Sequence, residues 1–381
     1  MEKTNTIPKV FLPEVLENSL YVGSVFGFYH PDTDIYNILA WDDNSRDRYS
    51  GMDISYLGEI YQDQDAINSE ETTLVGIRRE GGLYFYVGDT AYKKEHYNLI
   101  QNIFSRNTGI LETDWMLNKT VLISGCGSVG SLVALELAKS GVGNFVLVDN
   151  DILNFHNICR HQCSIRDVGE YKVNAVRERI LEINPYANVI VYKTILELLP
   201  KEVFDEHFKS EALIISCADS RESDNYASQL ASIYTIPFVS IGFWERAFAG
   251  EVFYFIPAEN MPCYECSIGT GEGYSSRQSA NHRIYTTQES LDNVNFEPGI
   301  SVDINFVTTI AIKLILDLLN RNNPNYTIRL LDYLTQFTLI CNTNNPKIGG
   351  TLAEIFSHPL QVTRSIMVTH QKPCPPCKYG G

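Results

Sequence analysis

Apolar residues follow two different rhythms along the chain. Up to about residue 103 they alternate with polar ones in short runs, as in "SLYVGSVFGFYH" and "TTLVGIRREGGLYFYVGD". A period of two predicts strands, and Gly81-Gly82 inside the second run predicts a hairpin turn. "YKKEHYNLIQNIF" has helical spacing, so residues 1–103 read as a small N-terminal α/β domain. From Thr120 onward, compact apolar runs take turns with amphipathic ones. "TVLISG" predicts a strand, and "SVGSLVALELAKSG" a helix stopped by Gly141. "NFVLVD" is a second strand. "VGEYKVNAVRERILEIN" follows as a helix with Val173, Val176, Ile180 and Ile183 along one side and Asp167 placed to cap it. "NVIVYK" and "ALIISCA" continue the alternation, which predicts a doubly wound, mostly parallel sheet covered on both faces. "PFVSIGFW" and "GEVFYFIP" extend that sheet, "DINFVTTIAIKLILDLL" reads as a long buried helix, and "TIRLLDYL" with "FTLICNT" as a closing hairpin. Residues 267–298 are rich in Gly, Ser, Asn and Gln and read as a crossover loop, so a second domain spans 104–381.

Composition narrows the class. Hydrophobic residues make up 44% and charged residues 20%, ordinary for a globular chain. No apolar run reaches the roughly 18 residues that cross a bilayer, and "MEKTNTIPKV" lacks a signal peptide's apolar core, so no membrane partner and a cytoplasmic location are expected. A formal charge of −16 and a pI near 4.9 argue against a nucleic-acid partner, because phosphate contacts need a basic surface. The acidic balance makes one stretch stand out: Arg160, Arg166 and Lys172 gather just after the second strand of the alternating region.

The glycines before that stretch explain it. "VLISGCGSVGS" carries G-x-G-x-x-G at Gly125, Gly127 and Gly130, between a strand and a helix, which is the context the motif needs. Gly125 permits a tight turn, Gly127 lets a phosphate approach the backbone, and Gly130 lets helix and strand pack closely. The phosphate would lie at the helix N-terminus, and Asp149 at the end of the next strand would accept ribose hydroxyls. A Rossmann-like fold is implied. This motif alone would suggest a nicotinamide oxidoreductase. Such a cofactor needs no cations after the second strand, whereas a triphosphate losing pyrophosphate does, because negative charge builds on the departing oxygens.

Taken in order, "GCGSVGS", "LVDNDILNFHNICRHQCSIRDVGEYK" and "SCADS" resemble the ThiF/MoeB/ubiquitin-activating-enzyme superfamily of adenylating enzymes, over roughly residues 104–381. The resemblance implies that Asp149 holds the ribose, that Asn157 and Arg160 contact phosphates, and that Lys172 sits on the triphosphate of ATP. It implies Asp219 as a magnesium ligand. Ser128 stands where the family has a further glycine, within the cofactor loop, and His161 replaces a common Gln. Asp151 is either loop structure or a further cofactor contact. Arg106 in "FSRN" matches an arginine that reaches into the other copy's site, which implies a homodimer.

The cysteines add a metal. Cys263 and Cys266 in "PCYEC" and Cys374 and Cys377 in "PCPPC" form a pair of C-x-x-C knuckles, and in a chain without a secretion signal they suggest a C-terminal zinc knuckle of closed, structural type. In the resembled family the knuckles converge. Cys126, Cys159, Cys163, Cys217 and Cys341 read as packing residues, and residues 267–340 contain no cysteine, which disfavours an enzyme thioester. The expected function is therefore ATP-dependent activation of a carboxylate on a ribosomally made precursor peptide, by adenylation or phosphate-activated dehydration. In this it is most similar to the peptide-maturing branch of microcin and pantocin type. Activation of the C-terminal glycine of a ubiquitin-like sulfur carrier is the alternative. The 1–103 domain is a candidate peptide clamp, using "IRRE" and "YFY" by strand addition, or else an ordinary hairpin or a dimer scaffold.

Overall fold

The computed structural model describes residues 7–62, 73–209, 211–244, 247–268, 299–342, 363–366 and 368–370. The chain divides into a unit of Met1–Thr108 with Asn184–Tyr186 and a unit of Gly109–Ile183 with Ala187–Gly381.

The second unit holds the alternating region. Its eight strands are β8 (Thr120–Ser124), β9 (Asn144–Val148), β10 (Asn188–Tyr192), β11 (Ala212–Ser216), β12 (Phe238–Phe243), β13 (Ala249–Phe255), β14 (Phe337–Cys341) and β15 (Thr363–Ile366). They lie in the order β10-β9-β8-β11-β12-β13-β14-β15. The strands from β10 to β12 are parallel, and β13, β14 and β15 add on antiparallel. Alternation along each strand splits the core in two, because successive side chains leave on opposite faces. Val121, Ile123, Phe145, Leu147, Leu213 and Ile215 pack with Val133 and Leu137 of helix Ser128–Lys139, Val176 of helix Lys172–Ile183, and Ile315 of helix Ser301–Asn320. Leu122, Val146, Val148 and Ile214 face the other way, onto Phe204 of helix Lys201–His207 and Leu230 of helix Arg221–Tyr234. Burial on both faces is why these strands read as continuous apolar runs.

Chain order reverses around β8: β9 lies on one side of it and β11 on the other. At such a switch point the loops leaving the strand ends part in opposite directions and open a crevice. Ser124 is in register with Val148 and Ser216, so the segments beginning at Gly125, Asp149 and Cys217 leave from one edge.

The first unit departs from the α/β expectation. Strands β1 (Lys9–Pro13), β2 (Gly23–His30), β3 (Ile35–Ala40), β4 (Ser55–Gln62), β5 (Leu74–Arg79), β6 (Gly82–Val87) and β7 (Thr90–Tyr97) form a closed barrel in the order β1-β3-β2-β4-β5-β6-β7, with β1 and β7 paired. Val10, Leu12, Val25, Ile38, Ile60, Leu74 and Phe85 are buried together. "YKKEHY" belongs to β7 rather than to a helix, and only Leu99–Ile103 is helical. Its partner β1 lies far away in sequence, so a local pattern could not reveal it. The hairpin at Gly81-Gly82 forms as expected. However, β5 and β6 each have both edges paired, which leaves no edge for an added peptide strand. Arg78 of "IRRE" is buried and donates to the carbonyls of Leu16, Glu17 and Tyr21, so it ties the barrel rather than offering a peptide contact.

"TIRLLDYL" is not a strand. The N–H groups of Arg329, Leu330 and Leu331 donate to the buried carboxylate of Asp317, which satisfies them without a ladder, and β14 pairs instead with β15. Of the crossover loop, residues 269–298 lie outside the described residues, as do Cys374 and Cys377. No helix among the described residues is long and apolar enough to cross a membrane.

Candidate functional site

The glycine loop is shaped by close backbone contacts. Gly125 has φ +88°, and a Cβ there would come within 2.8 Å of the Cys217 carbonyl oxygen. A Cβ on Gly130 would lie 1.9 Å from the Gly125 carbonyl oxygen. Only hydrogen fits at either place. Gly127 differs: among the described residues a Cβ there would meet nothing within 4 Å. Gly127 also precedes helix Ser128–Lys139 without a side-chain cap. Open space, an uncapped helix end and a dipole that favours anions thus coincide at Gly127 and Ser128.

Asp149 supports this loop from beneath. Its Oδ2 accepts the Cys126 N–H at 2.7 Å and its Oδ1 the Asp151 N–H at 2.7 Å. Burial raises its pKa above the usual carboxylate range, against the pull of both N–H groups and of Lys172. Asp151 has a largely exposed carboxylate that accepts from Lys172 Nζ at 2.7 Å. Lys172 itself opens helix Lys172–Ile183.

Asn154, Asn157 and Arg160 form a compact turn. Asn157 Oδ1 accepts the Asn154 N–H at 2.9 Å, and the Asn157 carbonyl accepts from Arg160 and His161. A Cβ on Gly299 would be 3.4 Å from Arg160 Nη1, which places that guanidinium beside the start of helix Ser301–Asn320. Asp219 is exposed after β11, ahead of the helix that Ser220 caps. Arg106 lies on a short helical turn, Ser105–Asn107, in the first unit. Asp167 does not cap helix Lys172–Ile183. It accepts from Ser164 N–H and from Arg179, closing its own turn.

The pattern of the sequence marks His161 only as a departure from the resembled family. The structure gives it a buried place, with Nε2 2.8 Å from the Cys126 carbonyl oxygen and Nδ1 accepting the Cys163 N–H at 3.1 Å. Burial lowers its pKa to about 4; the Cys126 contact opposes this and Lys172 adds to it. His161 is neutral at pH 7. A second missed group is the buried ion pair of Arg221 with Glu251, joined by Tyr264 and Trp244. One acid inside the otherwise apolar "AGEVFYF" was its signal.

Cys159 is exposed and so is not the packing residue that its sequence context suggested, whereas Cys126, Cys163 and Cys217 are held as thiols. Burial raises the pKa of Cys126 and Cys217 far above the usual value and that of Cys163 to about 12. Cys263 and Cys266 are both buried, with their sulfurs 3.9 Å apart. That separation suits two corners of a tetrahedron with metal–sulfur bonds of about 2.3 Å. Among the described residues no group of three or more His, Cys, Asp or Glu is placed to hold a metal.

Stability should carry the mark of His161. As pH falls below about 6.5 the unfolded chain takes up a proton that the folded imidazole refuses until about pH 4. Over that window the wild type should lose on the order of 3 kcal/mol relative to His161→Gln, and nothing further below it. Urea unfolding of both proteins from pH 7 to pH 4 measures the gap. A constant gap would mean that the imidazole is not held neutral.

Comparison with known proteins places the chain in a family. The ThiF family profile matches residues 101–348. The adenylyltransferase and sulfurtransferase UBA4 of Meyerozyma guilliermondii is 26% identical over 217 residues, 56% of this chain and 49% of that protein. The tRNA threonylcarbamoyladenosine dehydratase of Bacillus subtilis is 37% identical over 109 residues, 28% of this chain and 42% of that one. The chain thus spans about half or less of these relatives' length. Among solved structures, E. coli MccB with MccA-N7isoASN has TM-score 0.52 at 19% identity, covering 74% of this chain and 75% of that one. E. coli MccB with ATP has TM-score 0.50 at 19% identity, covering 70% and 68%. At such identity the likeness concerns the fold alone.

Proposed function

Because the chain belongs to the ThiF family, we propose that it uses ATP to activate a carboxylate on a ribosomally made precursor peptide. The observation that carries this reading is the uncapped helix end at Gly127, open to an anion, on the same sheet edge as Asp149 and Asp219. A peptide substrate is supported by the shared fold with MccB, which has been solved with the peptide MccA and with ATP.

On this reading the backbone N–H groups from Gly127 onward bind phosphate, and Asp149 orients the loop beside the ribose. The substrate carboxylate is already ionised at neutral pH and needs no general base. Its oxygen attacks the α-phosphorus, a new P–O bond forms, and pyrophosphate leaves. Arg160 and Lys172 would stabilise that leaving charge. Phosphate-activated dehydration would draw on the same groups. Asp219 would hold magnesium, which shields triphosphate charge. Cys263 and Cys266 with Cys374 and Cys377 would hold a structural zinc, and metal analysis of the purified chain tests for one ion per chain. In a dimer, Arg106 would reach the site of the second copy, and sedimentation tests that state.

The UBA4 relatives favour a second substrate, the C-terminal glycine of a ubiquitin-like sulfur carrier. ATP–pyrophosphate exchange and phosphate release, run with small peptides encoded beside the gene and with a sulfur-carrier protein, separate the readings. Turnover is expected with an acid-bearing peptide. Turnover with the carrier alone would transfer the assignment to it, and no turnover with either would reject both.

A further inference from the structure

Cys126, the residue between the first two motif glycines, is held through both of its own backbone groups. Its N–H donates to Asp149 Oδ2 at 2.7 Å, and its carbonyl oxygen lies 2.8 Å from His161 Nε2. The tautomer of His161 follows from its other contact. Nδ1 receives a hydrogen bond from the Cys163 N–H, which can only donate, so Nδ1 is bare and the ring proton sits on Nε2. His161 therefore donates to the Cys126 carbonyl.

A trans peptide points its C=O and N–H in opposite directions. Fixing the Cys126 carbonyl toward His161 therefore turns the Gly127 N–H away from it. Gly127 is the loop glycine beside which a Cβ would find open space. The neighbouring peptide obeys the same rule: Cys126 N–H faces Asp149, and the Gly125 carbonyl faces Gly130, where an added Cβ would meet it at 1.9 Å. His161 also belongs to the turn that carries Arg160, since both N–H groups donate to the Asn157 carbonyl. One imidazole thus joins the donor loop to the cationic turn.

We propose that His161 is a positioning residue for nucleotide binding: it sets the peptide plane between Cys126 and Gly127 so that the Gly127 N–H meets a phosphate oxygen. This role rests on the nucleotide-site reading above and adds a specific residue to it. The ring must be neutral and of one tautomer to do this. Glutamine can reproduce the arrangement, because its amide nitrogen donates and its oxygen accepts; alanine can do neither.

The test is magnesium–ATP binding by calorimetry to the full chain, which needs no peptide substrate. His161→Ala is expected to weaken binding by about 10- to 100-fold, the loss of one oriented donor to a charged oxygen, while His161→Gln stays close to wild type. A purely structural role would instead lower the melting temperature and the bindable fraction of His161→Ala without changing the affinity of what remains folded. Equal affinity in the wild type and the alanine variant overturns the proposal. No binding by the wild type would overturn the nucleotide-site reading itself, so the failures are distinguishable. Should the alanine variant not fold, 15N-histidine NMR of the wild type gives a separate answer. A proton on Nε2 and a bare Nδ1 at pH 7 supports the role, and the opposite tautomer or an imidazolium overturns it.

Discussion

Gly130→Ala is expected to abolish detectable ATP binding and to destabilise the second unit. The added methyl would lie 1.9 Å from the Gly125 carbonyl oxygen and 2.9 Å from its carbon. Both are backbone atoms at the tightest point of the loop, so neither can rotate aside. Relief requires pushing the loop off the helix, at a cost near the upper end of the usual overpacking range, about 3 kcal/mol. The displaced loop would also carry the Cys126 peptide away from Asp149 and His161. Several N–H groups would then leave a phosphate together. Each charge-assisted hydrogen bond is worth about 1.5–3 kcal/mol, so losing two weakens binding by at least about 100-fold. Gly127→Ala is the control, because its methyl meets nothing within 4 Å among the described residues and its φ of −75° suits alanine. That variant should melt like the wild type yet bind ATP less well, since the methyl occupies space meant for the ligand. Calorimetry and thermal melting read both proteins. Unchanged binding by Gly130→Ala would mean that the nucleotide does not use this loop.

Lys172→Met should reduce exchange turnover by about 100- to 1,000-fold, the usual effect of removing one fixed group that faces developing negative charge. Methionine keeps most of the buried stem, so packing is retained. The cost to folding is small because the ion pair it removes is with Asp151, whose side chain is 63% exposed and can be solvated instead. Such pairs are worth about 0–1 kcal/mol. The melting temperature should therefore barely move while kcat falls. Wild-type turnover in Lys172→Met would remove Lys172 from the chemistry. A collapse in melting temperature would make it a structural residue.

Local chemistry made much of the site readable. Gly125, Gly127 and Gly130 announced a strand, a turn and a helix: only glycine fits the backbone contacts at Gly125 and Gly130, Gly127 leaves room for a ligand, and the turn and helix are there. The parallel region was legible for a similar reason: strands buried on both faces need an unbroken apolar run, and β8 (Val121 to Ile123), β9 (Phe145 to Val148) and β11 (Ala212 to Ile215) each have one. The mistakes fall where a distant partner decides. "YKKEHY" became β7 because β1 lies beside it, and closure of the barrel then removed the strand edges that a peptide could have joined. "TIRLLDYL" failed as a strand because Asp317, on another element, takes its N–H groups.

By itself the sequence determined which backbone positions must stay bare and which strands must lie inside, since both follow from the size and polarity of neighbouring residues. Tertiary structure alone decided how the residues are employed. Asp149 and Lys172 were visible as charges, but that Asp149 braces a peptide and that Lys172 pairs with Asp151 depends on which strand ends sit side by side. His161 shows the difference most clearly. An imidazole in a sequence has an open choice of charge and tautomer, and burial against the Cys126 carbonyl and the Cys163 N–H removes that choice.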